Sequence, residues 1–306
     1  MNPQIATVVY ALAIVVLFML SRDRTARTSI ALWIPVAWLL IAGSRNVSDW
    51  LELSGPTDAV DRYLEGSPLD RAVLTVLLTF GTITLVGRAR YVGAMLRANP
   101  CILAFVFYCG LSIFWSDYPD VGFKRWIRSL GDVLMVLVIL TDPNSLAALK
   151  RVLTRVGFLL LPLSILLIKY YPDLGRAYGR WDGTTYWTGV GSHKNSLGLI
   201  CLIFGLSSLW HFLVAYTARE DTGRIRVLVA QGAVVAMALW MLWIADSKTS
   251  LACFVLVGSL MTLTSLSSSA RKPAVLRMMV IALVFGTFAV LFLGVGGDAL
   301  ENMGRD

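Results

Sequence analysis

Two stretches of the chain set cations beside aromatic rings, a pairing that suits an anionic ligand carrying a sugar or a lipid. In the first, Trp115 to Arg128, the residues Lys124, Arg125 and Arg128 follow Pro119, a natural start for a new segment. Helical spacing puts Lys124 and Arg128 at i, i+4 and Arg125 and Arg128 at i, i+3. Trp115, Tyr118 and Trp126 have the character of an interfacial aromatic belt. Two readings stand: snorkelling anchors at a helix end, or a cationic site for an anionic headgroup. The second stretch runs from Lys169 to Lys194 and holds Tyr170, Tyr171, Tyr178, Trp181, Tyr186 and Trp187 among Lys169, Arg176, Arg180 and Lys194. Aromatic faces stack on sugar rings, and guanidinium forks grip phosphate in a bidentate way. The alternative is a loop pinned to the interface by its rings. Gly189 and Gly191 permit unusual backbone angles and close approach. Asn195 is a candidate cap for the helix that follows, whose positive end would face an anion near His193 and Lys194.

His193 has three readings: a structural anchor, a substrate-binding residue, or a catalytic base. His211, the other histidine, sits mid-helix beside Trp210 and reads as a packed or hydrogen-bonding residue. No second histidine or carboxylate stands at ligand spacing from His193, so the expectation is no metal and no cofactor. A third polar stretch, Asp246 to Ser250, reads equally as an interfacial turn or as part of a polar cavity. Cys101, Cys109, Cys201 and Cys253 all lie in apolar runs, as small membrane hydrophobes do.

The elements that must position these residues follow from composition. Charged residues make up 15% of the 306, hydrophobic residues 57%, and the mean hydropathy is +0.71. A soluble domain carries about 25% charged residues, so a secreted disulfide scaffold, a disordered tail and a nucleic-acid-binding domain are excluded. The chain reads as an all-α polytopic integral membrane protein, a single transmembrane domain over 1–306 with about ten transmembrane helices. The apolar runs are Gln4–Leu20, Ser29–Gly43, Ala72–Val86, Pro100–Trp115, Leu130–Thr141, Val156–Tyr170, Asn195–Tyr216, Val227–Ala245, Leu251–Leu266 and Ala274–Val295.

Ten spans divide the connections between two sides. The five connections on one side each carry three Lys or Arg: Arg22, Arg24 and Arg27; Arg88, Arg90 and Arg97; Lys150, Arg151 and Arg155; Arg219, Arg224 and Arg226; Arg271, Lys272 and Arg277. Against those 15 basic residues stand four acids, while the other side holds 12 basic and 15 acidic residues. Positive-inside bias assigns the first side to the cytoplasm. The polar stretches described above then face outward with both termini.

The run LSIFWSDYPDVGFKRWIRSL resembles the WS-x-x-P…Arg segment of the O-antigen ligase and polysaccharide polymerase superfamily. GRWDGTTYWTGVGSHKNSLG resembles the family's Arg…Gly…His-Lys-Asn-x-x-Gly segment, nearest the exopolysaccharide polymerisation branch. ADSKTS resembles a Ser-x-(Ser/Thr) stretch on a later helix, and the terminal GRD resembles the opening of the segment that begins the family's large periplasmic loop. The matches keep the family's order over residues 100–306, while residues 1–99 match only as hydrophobic spans.

The resemblance implies a bacterial inner-membrane protein with its polar site facing the periplasm. It would transfer glycan from an undecaprenyl-diphosphate-linked donor to an acceptor hydroxyl, polymerising or ligating surface polysaccharide beside other polysaccharide assembly proteins. Arg125 or Arg128 and Arg180 would grip the diphosphate, with Trp181 beside them and Lys124 on the same segment; His193, Lys194 and Asn195 would shape the same cavity. Guanidinium groups there would neutralise the charge that develops as diphosphate departs. The family's acceptor-activating His lies in the large loop, which would begin at Asp306, so the expectation for these residues is donor binding without transfer. The family also tends to start in the cytoplasm with fewer spans, a departure from the outside N-terminus read here. The rival readings are a transporter or flippase for lipid-linked glycans and a non-catalytic assembly subunit. A transporter would place ionisable residues near the midplane, whereas here they gather at one face.

Overall fold

The structure is a computed structural model that describes residues 2–21, 28–51, 67–178, 183–218, 223–245 and 247–266, with a few isolated positions beyond them. In chain order the elements are α1 (Pro3–Leu20), a 3-10 turn (Ile30–Leu32) leading into α2 (Trp33–Ala42), α3 (Val47–Trp50), α4 (Pro68–Val86), α5 (Ala89–Ala98), and α6 (Pro100–Leu111) with a 3-10 turn (Ser112–Trp115). There follow α7 (Pro119–Leu140), α8 (Ser145–Tyr170), α9 (Pro172–Gly175), the strands β1 (Arg176–Tyr178) and β2 (Thr185–Trp187), α10 (Lys194–Thr217), α11 (Arg224–Ile244) and α12 (Lys248–Leu266).

The helix starts are written in the sequence. Asn2 and Ser67 accept from Gln4 N–H and Leu69 N–H ahead of Pro3 and Pro68, and Asn144 accepts from Ala147 N–H at 3.1 Å. Each cap satisfies a donor that the first helical turn leaves without a partner. Along α4, Thr75, Thr79, Thr82 and Thr84 donate to the carbonyls four residues back. That local bond removes the cost of a bare hydroxyl on an apolar surface.

Helix α8 is the centre of the bundle. Its apolar window is 67% buried, against 11% for α1, α4 and α12. It packs on α1, α2, α7, α10 and α11, and its Val152, Val156, Phe158, Leu161 and Ile165 form the spine of the main core. The outer helices expose what a soluble protein would hide. On α1, Ile5, Val8, Leu12, Val15 and Met19 are all exposed, as are Phe80, Ile83 and Val86 of α4. So large an apolar surface suits lipid rather than water.

The fold is thus helical but for one short hairpin and membrane-like, with six helices long and apolar enough to cross a bilayer among the described residues: α1, α4, α8, α10, α11 and α12. The remaining sequence runs take other shapes. Ser29–Gly43 becomes a short apolar piece, Ile30–Ala42. Pro100–Trp115 joins α5 through an 89° bend at Asn99–Pro100. Leu130–Thr141 is the apolar half of α7, a helix of 22 residues whose first half carries the charges. Ala274–Val295 lies largely outside the described residues.

Candidate functional site

The connection that follows α8 is folded tightly onto the end of that helix. Gly175 lies so close to it that a Cβ would meet the Leu167 carbonyl at 2.4 Å and Ile168 N at 2.5 Å. The chain then turns into an antiparallel hairpin, with Arg176 paired to Trp187, Ala177 to Tyr186 and Tyr178 to Thr185. The Arg176 guanidinium donates to the Ile168 carbonyl at 3.1 and 3.2 Å and stacks on the Trp187 ring at 4.6 Å. Thr188 and Gly189 return their N–H groups to the Gly175 carbonyl at 3.0 and 3.1 Å. Gly189 takes φ +56, a left-handed angle that glycine adopts without penalty. Val190 N–H then reaches the Ser164 hydroxyl at 3.4 Å, inside the core.

This scaffold delivers His193, Lys194 and Asn195 to the start of α10, all three exposed. The helix begins one residue earlier than an Asn195 cap requires. His193 occupies the cap position with extended backbone and makes no side-chain capping bond, and Asn195 is already inside the first turn. One turn further on, Gly198 packs directly on the segment after α11. A Cβ there would lie 2.6 Å from Ser247 Oγ and 2.7 Å from Ser250 Oγ, and Ser247 donates to Ser250 at 3.0 Å. The His-Lys-Asn-x-x-Gly stretch and the Ser-Lys-Thr-Ser stretch, some fifty residues apart in sequence, therefore meet.

Much of the aromatic and cationic richness of this connection is spent on anchoring. Tyr171 Oη is 2.9 Å from Thr7 Oγ1, Tyr170 meets Tyr10 edge-on at 6.3 Å, and Lys169 lies 4.8 Å over Trp240. Arg176 and Trp187 hold the hairpin. Arg180, Trp181 and Asp246 lie outside the described residues.

Lys124, Arg125 and Arg128 are exposed on the first half of α7, which does begin at Pro119. Trp126 faces inward between them. Its indole N–H donates to the Val106 carbonyl at 3.0 Å and its ring covers Gly110, so it is a packing residue. Trp115 and Tyr118 are exposed. The far end of α7 sits where Arg88 donates to the Val138 carbonyl at 3.1 Å. The charged start of α7 is therefore at the same end of the bundle as His193. The two clusters flank α8: α7 packs on α2, α4, α6 and α8, and α10 on α8, α11 and α12.

One residue of this end went unweighed in the sequence. Arg45, after α2, donates to the Leu174 carbonyl and, at 3.3 Å, to the Gly191 carbonyl, and lies 5.8 Å over Trp50. It ties the connection after α2 to the one carrying His193. Burial pulls its guanidinium below the ordinary arginine value, and the Asp49 carboxylate opposes that shift. The signal was an arginine two residues past an apolar run, on the side poor in Lys and Arg relative to acids. The hairpin too had a signal, an Asp-Gly pair at 182–183 between Arg-Ala-Tyr and Thr-Tyr-Trp.

The chain matches no protein-family model, no curated protein and no solved structure.

Proposed function

We propose that the protein acts on undecaprenyl-diphosphate-linked glycan, as the donor-binding part of a glycosyl transfer that polymerises or ligates surface polysaccharide. In this reading the chain spans the bacterial inner membrane about ten times, its Lys/Arg-rich end lies in the cytoplasm, and the end bearing His193 faces the periplasm. The observation that carries the reading is the meeting of two motif segments at Gly198 against Ser247 and Ser250. The resemblance draws both segments from one family, and their contact supports reading them together. The placement of Lys124, Arg125 and Arg128 at the same end supports it further.

In this mechanism Arg125, Arg128 and Arg180 hold the diphosphate and offset the charge that grows on it as the glycosidic bond breaks. Lys194 adds a cation at the start of α10, whose N-terminal dipole also favours an anion. His193, exposed beside Lys194, is suited to touch the diphosphate.

The test is binding and elongation of a fluorescent undecaprenyl-diphosphate oligosaccharide by residues 1–306 in liposomes. Saturable binding is expected, with Arg125→Ala and Arg180→Ala each weakening it about tenfold or more, as loss of a charge-assisted hydrogen bond does. Arg180→Lys is also impaired, because a point charge does not replace a fork. Normal binding by all three variants would falsify the proposal and leave the clusters as interfacial anchors. Elongation by these residues alone would place the base within them and make His193 the first residue to replace.

A further inference from the structure

A second polar site lies at the opposite end of the bundle, where α8 and α11 begin and α10 ends. It is a cavity of about 540 Å³ with Lys150, Arg151 and Arg155 of α8 and Arg224 of α11 on its walls. Among the described residues no carboxylate lines it. Glu220 and Asp221, in the adjoining connection with Arg219, lie outside the described residues. The partners of Lys150, Arg155 and Arg224 are aromatic rings and a carbonyl, which cancel little charge. Lys150 lies 4.7 Å over Trp210, Arg155 4.3 Å over Trp33, Arg151 donates to the Thr28 hydroxyl, and Arg224 donates to the Tyr216 carbonyl at 2.8 Å.

The neutral polar groups of the cavity point the same way. His211 Nδ1 is 3.2 Å from the Thr154 hydroxyl. If that nitrogen accepts, the other, Nε2, carries a hydrogen, and Nε2 is buried with no partner. Arg224 Nε is likewise a buried donor without a partner, and Gln231, only 2% exposed, has its acceptor Oε1 buried and unpartnered. A turn of the Gln231 amide presents its NH2 instead. Buried donors without a partner are costly, and the His211 and Arg224 donors beside Lys150 and Arg155 match one chemistry: a multiply charged oxyanion. The volume is within the range of roughly 300–1,000 Å³ usual for small-molecule sites. Phe18, Phe158, Val214 and Val227 supply an apolar wall, which suits a phosphate carried on an organic group.

We infer that this cavity binds a phosphate-bearing anion, the phosphoryl group of a lipid headgroup or of a soluble phosphate compound. Lys150, Arg155 and Arg224 supply the charge, and His211 and the turned Gln231 amide supply neutral donors. The site is separate from the His193 end, because the 24 residues of α10 stand between them, about 36 Å of helix. The inference therefore does not depend on the glycan reading.

The experiment uses residues 1–306 in nanodiscs, with sodium pyrophosphate titrated calorimetrically against sodium chloride at matched ionic strength. Saturable pyrophosphate binding is expected in phosphatidylcholine discs. Lys150→Gln and Gln231→Leu should each weaken it about tenfold, whereas Arg97→Gln, outside the cavity, should not. The two variants perturb different elements and only one alters a charge, so a folding defect in one leaves the other to decide. Discs containing phosphatidylglycerol separate the sources. Weakened pyrophosphate binding there, with phosphatidylglycerol retained in native mass spectra and lost in the variants, assigns the site to a headgroup; unchanged binding assigns it to a soluble phosphate. Heat that chloride reproduces, or equal affinity in both variants and the parent, overturns the inference.

Discussion

Arg45 joins two carbonyls of a connection that begins more than 120 residues later in the chain, and its planar fork is what allows one side chain to hold both Leu174 and Gly191. Arg45→Ala leaves those carbonyls without the donor and should cost about 1–3 kcal/mol, read as a lower melting temperature in a fixed detergent. Faster hydrogen exchange at Thr188 and Gly189 should accompany it, since both amides hang on the Gly175 carbonyl next to Leu174. Arg45→Lys should recover only part. A melting curve and exchange pattern equal to the parent would show that the loop stands without Arg45. The sequence named the exposed candidates at this end, Lys124, Arg125, Arg128, His193, Lys194 and Asn195, and the structure leaves all six exposed. It was silent on Arg45 because the two partners are main-chain oxygens, which no residue pattern reveals. It also left the stretch holding Arg176 and Trp187 open between a ligand site and an anchored loop, since stacking on a sugar and stacking on a neighbouring guanidinium demand the same residue types.

Between elements, a close joint at the His193 end sets α10 against the start of α12. Gly198→Ala would push a methyl to within 2.6–2.8 Å of Ser247 and Ser250, so one helix must move. Overpacking of this kind costs about 1–3 kcal/mol, and in the glycan reading it would also displace the His-Lys-Asn turn. The expected outcome is a lower melting temperature together with weaker donor binding. Ser247→Gly in the same chain, which removes the Oγ and Cβ that obstruct the methyl, should restore part of both; no rescue would mean that the clash is not the cause. The long apolar helices were legible from hydropathy alone, because α8, α10, α11 and α12 each match an apolar run to within several residues or a helical extension of it. Two shapes were not. Arg90 and Arg97 made the stretch before Pro100 look like a loop, yet Val92, Met95 and Leu96 recur on one face, and α5 packs them beside Leu85 and Val138. The charges of α7 likewise hid a continuous helix whose polar half and apolar half average to neither signal.

Across the whole molecule, residues that the Lys/Arg arithmetic assigns to one side do meet one another. At the basic end Arg88 pairs with Asp142 at 3.7 Å, Asp142 accepts from Ser29 N–H at 3.1 Å, and Arg151 donates to Thr28. At the other end Arg45 meets Leu174 and Gly191, Tyr171 meets Thr7, and Ser48 donates to Asp70 at 2.6 Å. Such sorting is what a path that crosses between two ends of a helical bundle produces. Contacts within the chain carry no information on which end faces the cytoplasm; that rests on the positive-inside bias alone. A reporter active only in the periplasm settles it. Fused after Gly183, in the hairpin connection, it should be active; fused after Gly223, beside Arg224, it should be silent. The two positions flank a single span, α10, so equal activity at both would remove that span from the membrane. The reverse pattern would turn the protein over, place the cavity of Lys150 and Arg224 outside, and deny the His193 end access to a periplasmic donor.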